Sequence, residues 1–342
     1  MRILIDAMGG DNAPQAVVSG AVAAAKEFGV DITLIGRDED IRSCLKAEGA
    51  ENDGRISIVN ATEVITMEDD PANATRRKKD SSMSVMLQML AKGEGDACVS
   101  AGSTGALLSG ATLTVKRIRG IRRACFAPVI PNGGHGAMII DSGANVECTA
   151  EYLLQFAYMG SFYAKEMMGC ENPKVGLLNI GAEDTKGTAL QLETNRLLRE
   201  AAEAGRLNFI GNVESSEFLT GKVDVLVCDG FSGNVLLKAV EGTARFLMKE
   251  VKKVFMKSTL NKLAALIVKK DVSALKAMMD VSEVGGTALL GLTKPVIKAH
   301  GSSDARAIRS AVRQAIACRE SDIIESIEKN IGYMRLNTTQ GE

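Results

Sequence analysis

Tryptophan is absent from this sequence, and aromatic residues make up only 4% of its 342 positions. Stacked aromatic platforms for sugars or single-stranded nucleic acid are thereby excluded. Proline is scarce at 6 residues, and the net charge of −1 supplies no global field that would select nucleic acid. Histidine occurs twice, as His135 and His300. The cysteines Cys44, Cys98, Cys125, Cys148, Cys170, Cys228 and Cys318 stand singly, with no Cys-x-x-Cys pair. That spacing fits reduced thiols better than a disulfide framework or a zinc site, so no metal is expected. No run of about 18 apolar residues occurs, so no membrane span is expected. The opening Met1 to Asp6 lacks the apolar core and cleavage site of a signal peptide, which points to a cytoplasmic chain.

Glycine and apolar residues are abundant. There are 34 glycines, and 46% of the residues are hydrophobic. This combination suits a large core threaded by tight turns rather than disordered linkers. The length allows two ordinary domains or one large α/β unit, and the reading adopted is a single unit over residues 1–342.

Apolar runs alternate with helical periodicity from the start of the chain. Arg2 to Ala7, Asp31 to Gly36 and Ile56 to Val59 read as strands, and Gln15 to Phe28 and Asp38 to Glu48 as helices. Such alternation predicts a parallel, doubly wound αβα sheet whose ligands bind beyond the carboxyl ends of the strands. Further on, Ser81 to Lys92 is predicted helical and Asp96 to Val99 a strand. Ala127 to Ile130 and Gly136 to Asp141 form a hairpin, with His135 exposed in its turn. Glu147 to Gly169 and Thr188 to Ala204 follow as helices. Val175 to Leu178, Phe209 to Asn212 and the stretch Lys222 to Cys228 supply more strands. A final long helix is predicted over Asp304 to Lys329, and Val284 to Gly291 reads as a turn.

The connections carry the chemistry. Asn179 to Gly187 lies between a strand and a helix, where backbone N–H groups and a positive helix end aim at one point. Lys186 adds a mobile charge there, although the stretch also reads as an ordinary surface connection. Ser100 to Ala106 opens another helix, with Ser103 and Thr104 available either as anion donors or as capping residues. Asp6 leads into Gly9 and Gly10, and Asp141 closes a strand ahead of Asn145. Asp229 and Asn234 bracket a glycine-rich turn with Ser232 inside it, and a helix is predicted from Val235 onward. His300 sits at a strand end, where the strand-end rule favours ligand contact.

Residues 245–282 differ in character. Lysines such as Lys249, Lys252, Lys253 and Lys262 alternate with Val251, Val254, Leu263 and Leu266. This basic amphipathic helical arm suits an anionic membrane surface, a partner helix or a subunit interface. A break is expected at Asp271 to Ser273.

With these turns in view, the chain resembles the bacterial phosphate acyltransferases of phospholipid synthesis, the PlsX family. The stretch Ile5-Asp6-Ala7-Met8-Gly9-Gly10-Asp11-Asn12-Ala13-Pro14 carries the resemblance most specifically. Ser100 to Ala106, Asp141 to Asn145, Asn179 to Gly187, Cys228 to Lys238 and Ala299 to Ser303 fall in family order, over about residues 1–335. The resemblance implies a homodimer with a fold like that of phosphotransacetylases and isocitrate dehydrogenases. It also implies transfer of an acyl group from acyl-carrier protein to inorganic phosphate. The acyl phosphate would supply a membrane glycerol-3-phosphate acyltransferase, and the enzyme would be cytosolic and peripherally membrane-associated.

Phosphate is itself a nucleophile, so this reaction needs no cofactor and no covalent intermediate. Positioning and oxyanion stabilisation suffice. Lys186 is then expected at the phosphate or oxyanion, Asn234 at the carbonyl or phosphate, and His300 at the proton or departing thiolate. Asp6, Gly9, Gly10, Ser103, Thr104, Asp141, Asn145, Asp229 and Ser232 would line the pocket. The acidic carrier protein is expected at Arg76 to Lys79 or at Arg117, Arg119, Arg122 and Arg123. An NAD-dependent dehydrogenase of the same fold class would want Gly-x-Gly-x-x-Gly after the first strand, which Met8-Gly9-Gly10-Asp11 does not supply. A non-enzymatic scaffold would use the arm alone.

Overall fold

The computed structural model describes residues 1–132, 134–272 and 285–336. The chain opens with β1 (Arg2–Asp6), α1 (Gln15–Phe28), β2 (Asp31–Gly36), α2 (Asp38–Ala47) and β3 (Ile56–Asn60). A short α3 (Ala74–Arg77) precedes α4 (Ser82–Lys92), β4 (Ala97–Ser100) and α5 (Thr104–Thr114). The middle holds β5 (Cys125–Ala127), β6 (Val129–Ile130), β7 (Ala137–Ile140) and α6 (Ala150–Met168). It continues through β8 (Lys174–Asn179), α7 (Ala189–Glu203), β9 (Asn208–Glu214) and β10 (Val225–Val227). The long α8 (Gly230–Met256) and α9 (Thr259–Ile267) come next, then β11 (Thr287–Leu290) and β12 (Val296–Lys298). The helices α10 (Ala305–Glu320) and α11 (Ile323–Asn330) complete the described chain.

The strands form two sheets. The larger runs β3-β2-β1-β4-β12-β11-β5, and the smaller runs β6-β7-β10-β8-β9. The runs β3-β2-β1-β4-β12 and β7-β10-β8-β9 are parallel, while β11 and β6 pair antiparallel with their neighbours. Ile3, Leu4 and Ile5 of β1 are all fully covered, as a strand with helices on both faces must be. One hydrophobic cluster joins the sheets: Ile5 and Val99 of the larger belong to it with Ile140, Leu177 and Val225 of the smaller. The doubly wound α/β class expected from the alternation is thus the fold observed.

Several expected boundaries differ. Val284 lies outside the described residues, and Thr287 to Leu290 of the supposed turn form β11, whose apolar Ala288, Leu289 and Leu290 are buried between β12 and β5. The final helix is two, because Ser321 takes an extended conformation with ψ 156° and its hydroxyl donates back to the Cys318 carbonyl. The arm breaks at Lys257–Ser258 and at Val268, whereas Asp271 and Val272 are helical; Ser273 and the remainder of the arm to residue 282 lie outside the described residues. Ala127 belongs to the larger sheet, so the hairpin is confined to β6 and β7.

Candidate active site

The carboxyl ends of β1, β4 and β12 lie side by side. Lys298 is level with Ser100, and Ile5 with Val99. Asp6 ends β1 and is 2% exposed. Its carboxylate accepts hydrogen bonds from the Ser82 hydroxyl at 2.5 Å, the Ser100 hydroxyl at 2.7 Å and the Met8 N–H at 3.3 Å. Burial pushes its pKa up, and these donors oppose the shift. Asp6 therefore acts as the hub that ties the start of α4 and the turn after β4 to β1.

The turns that follow are interlocked. Asp11 donates its N–H to the Gly301 carbonyl at 2.7 Å, and the Asn12 amide donates to the carbonyls of Ser302 and Ser303 at 3.2 Å. Gly10 adopts φ +104°, and a Cβ there would lie 3.0 Å from both Ala101 Cβ and the Gly301 carbonyl oxygen. A Cβ on Gly9 would meet Asp6 Oδ2 at 2.5 Å and the Gly102 nitrogen at 2.7 Å. Glycine is thus demanded at Gly10 by conformation and at Gly9 by close approach. Ser103 caps α5, accepting from the Ala106 N–H at 3.5 Å, while Thr104 is exposed at the first turn.

A second hub ends β7. Asp141 is fully buried and accepts from the N–H groups of Phe126 (2.9 Å), Ala144 (3.2 Å) and Asn145 (2.6 Å), and from the Asn145 amide (3.1 Å). Burial raises its pKa against these donors. Asn145 also donates to the Ala124 carbonyl, and its own carbonyl accepts from the Gly230 N–H at 2.7 Å. Asp229 caps α8, accepting from the Ser232 N–H at 2.9 Å and the Ser232 hydroxyl at 2.8 Å. That cap explains why α8 begins at Gly230 rather than at Val235, the expected start. The glycine-rich turn is the first turn of the helix, and Gly230 and Gly233 let it press against Asp141 and Asn145.

The helix α8 connects the hubs. Asn234, exposed on its second turn, stands beside Gly143, whose Cβ would lie 3.6 Å from Asn234 Cγ. Farther along, Lys238, Glu241 and Arg245 face His300. The His300 Nδ1 lies 2.9 Å from the Ser302 hydroxyl. Partial burial lowers the His300 pKa, Lys238 lowers it further, Glu241 opposes, and Lys298 and Arg245 add smaller depressions. The Asp6 to Gly10 bend, the Ser100 to Ser103 turn and His300 thus cluster at the carboxyl ends of β1, β4 and β12, and Lys238, one turn along α8 from Asn234, acts on both Lys298 and His300.

Lys186 comes from a separate loop. It is exposed in the loop after β8, its carbonyl accepting from the Asn179 amide at 3.1 Å, and its ammonium makes no hydrogen bond or ion pair among the described residues. The β8 strand runs parallel beside β10, with Leu177 level with Val227, so this loop leaves the same sheet edge as Asp229.

Sequence reasoning singled out the turn that Ser100 opens but missed Ser82 and above all Lys298. Lys298 ends β12 and is 9% exposed, and its ammonium donates to the carbonyls of Ala101 (3.4 Å) and Ala299. Burial pushes its pKa down to about 8, with Asp6 and Asp11 opposing and Lys238 adding to the fall. The signal was available. A lysine that closes an apolar strand run, just before a Gly-Ser turn, is costly to bury and marks a place to look.

This α/β architecture is shared with phosphotransacetylases. The structure matches one from Streptococcus pyogenes with TM-score 0.62 at 19% identity, covering 93% of this chain and 94% of that one. It matches a branched-chain phosphotransacylase from Enterococcus faecalis with TM-score 0.55 at 13% identity, covering 93% and 98%. A protein-family model described as "Fatty acid synthesis protein" matches residues 1–326, and the chain belongs to that family. It is 50% identical over 333 residues to a phosphate acyltransferase of Geobacillus thermodenitrificans, covering 97% of this chain and 99% of the relative. It is 48% identical over 329 residues to one of Bacillus cereus, covering 96% and 97%. The corresponding protein of Clostridioides difficile is 45% identical over 332 residues, covering 97% and 96%.

Proposed function

We propose that this protein is an acyltransferase that moves a fatty acyl group from acyl-carrier protein to inorganic phosphate. The reaction yields acyl phosphate and free carrier thiol, and it feeds phospholipid synthesis. The observation that carries the reading is the set of interlocked turns after β1, β4 and β12 with the cations Lys298 and Lys238 and the imidazole of His300 beside them, an arrangement suited to an anion. The relatives' shared activity names the chemistry that such a seat serves.

A phosphate oxygen attacks the thioester carbonyl carbon. The C–O bond forms and the C–S bond breaks. The proton of hydrogen phosphate passes to the departing sulfur, so charge and atoms balance without a cofactor. Asn234 orients the carbonyl, Lys186 meets the developing oxyanion, and His300, whose pKa burial and Lys238 hold below the usual imidazole value, relays the proton. Incubation with palmitoyl-carrier protein and labelled phosphate should give labelled acyl phosphate together with free thiol in equal amounts. Thiol release that ignores phosphate would count against the proposal.

The acidic carrier protein fits the groove lined by Arg76, Arg77 and Lys79, none of which is held in a salt bridge among the described residues. Three of the four arginines of the other basic candidate are engaged. Arg122 pairs with Glu151 at 3.1 Å, Arg117 donates to the Arg122 carbonyl, and Arg123 lies over the Tyr152 ring at 5.6 Å.

The arm leaves large apolar groups open to solvent, among them Phe246, Leu260, Leu263, Leu266 and Ile267. No described helix is long and apolar enough to cross a membrane. The reading adopted is a cytoplasmic homodimer whose arm rests on an anionic membrane surface, near the glycerol-3-phosphate acyltransferase that consumes the product. Leu263→Glu with Leu266→Glu should abolish co-sedimentation with anionic liposomes while leaving acyl transfer in solution intact. If the double variant becomes monomeric and still binds liposomes, the arm is a subunit interface instead.

A further inference from the structure

We propose that Lys298 is the buried cation of the anion seat, binding the phosphate nucleophile between the turns that follow β1, β4 and β12. The inference rests on the transferase reading above and names the group that makes the seat selective for phosphate.

Geometry carries it. Lys298 ends β12, an interior strand of the larger sheet paired parallel with β4 and antiparallel with β11, where an apolar side chain would be the ordinary occupant. Two of its three ammonium N–H groups are directed at the carbonyls of Ala101 and Ala299, which belong to two different turns. The third has no partner among the described residues. Lys298 forms no salt bridge with Asp6 among those residues, and Asp6 is occupied by Ser82, Ser100 and Met8. A lysine placed merely to neutralise Asp6 would form that pair. Instead the ammonium is fixed by neutral carbonyls, with one donor left and a small remaining opening to solvent. This is how a cation is pre-organised for an arriving anion.

The charged and titratable groups facing Lys298 are Asp6 on β1, Asp11 in the following turn, Lys238 on α8 and neighbouring His300. Its pKa near 8 gives the binding site a testable limb. Only the protonated amine attracts phosphate, so affinity should hold at neutral pH and fall as pH rises through about 8. Inorganic phosphate is already the dianion there, so its own titration does not produce that fall.

The test is the phosphate KM of the full-length enzyme, measured from neutral to alkaline pH for wild type, Lys298→Met and Lys298→Arg. Lys298→Met should raise the phosphate KM by about 10-fold or more, the loss expected of one charge-assisted hydrogen bond. The KM for acyl-carrier protein should change little. Lys298→Arg should keep a low phosphate KM and lose the alkaline rise. A folded Lys298→Met enzyme with the wild-type phosphate KM and pH profile overturns the proposal.

If either variant fails to fold, the rise in wild-type melting temperature on adding phosphate supplies the reading. It should shrink above about pH 8, and a shift that stays constant with pH overturns the assignment. A wild-type enzyme that shows this pH-dependent phosphate stabilisation but no phosphate-dependent thiol release would refute the transferase reading and leave the seat standing.

Discussion

Lys186→Ala should lower phosphate-dependent acyl transfer by about 100- to 1,000-fold, the range found when a single oxyanion donor is removed. It should do so without a measurable change in stability. The side chain is exposed and its ammonium has no partner among the described residues. What holds the loop is backbone and flanking chemistry. The Asn179 amide donates to the Lys186 carbonyl at 3.1 Å, the Asn212 amide donates to the Glu183 carbonyl at 2.8 Å, and Thr188 with Gln191 forms the capping box of α7. Truncation beyond Cβ leaves all of these in place. Steady-state turnover and chemical denaturation should therefore separate cleanly. Turnover within a few-fold of wild type would remove Lys186 from the mechanism and leave oxyanion stabilisation to Asn234 and the cations facing His300.

Gly233→Ala should cost at least about 3 kcal/mol, the upper part of the range for overpacking a tight interior, and the variant should accumulate poorly in soluble form. A Cβ on Gly233 would lie 2.0 Å from the Asp141 carbonyl oxygen and 2.7 Å from Cys228 Sγ. Neither neighbour can retreat. The Asp141 N–H donates to the Cys228 carbonyl at 3.0 Å, the Cys228 N–H donates to the Ile140 carbonyl at 2.8 Å, and the Asp141 carboxylate is held by Phe126, Ala144 and Asn145. The internal control is Gly242 on the same helix, where an added Cβ meets nothing within 4 Å. Gly242→Ala should stabilise by about 0.5–1 kcal/mol, the ordinary helix-propensity difference. Equal urea midpoints for the two variants would show that α8 does not press on Asp141 as described.

Much of the fold was legible because β1, β2, β4 and β8 are short apolar runs separated by helices with periodic faces. Local pattern and tertiary structure agree there. Thr287 to Leu290 was misread because two glycines stand before it, and glycine usually marks a turn. Only pairing with β12 and β5, distant in sequence, makes that stretch a strand. The start of α8 was misplaced for a related reason. Glycine disfavours a helix locally, yet Gly230 and Gly233 are required by contact with Asp141, which is invisible until the sheet forms. At the candidate site, the sequence pattern placed Asp6, Asp141, Asp229 and His300 at strand ends, and each lies at or within two residues of one. It overlooked Lys298 because lysine is ordinarily read as solvated, and only the register of β12 against β4 shows it enclosed.

The 27 residues of α8 make a rod about 40 Å long. One end is seated on Asp141 and Asn145, the middle passes His300, and the far end carries the solvent-facing apolar groups of the arm. A body that grips the far end therefore has leverage on Asn234 and Lys238 without touching either. Whatever docks there, a lipid bilayer or a second subunit, should alter amide exchange in the helix's opening turns, where Gly230 and Gly233 press on the strand ends of the smaller sheet.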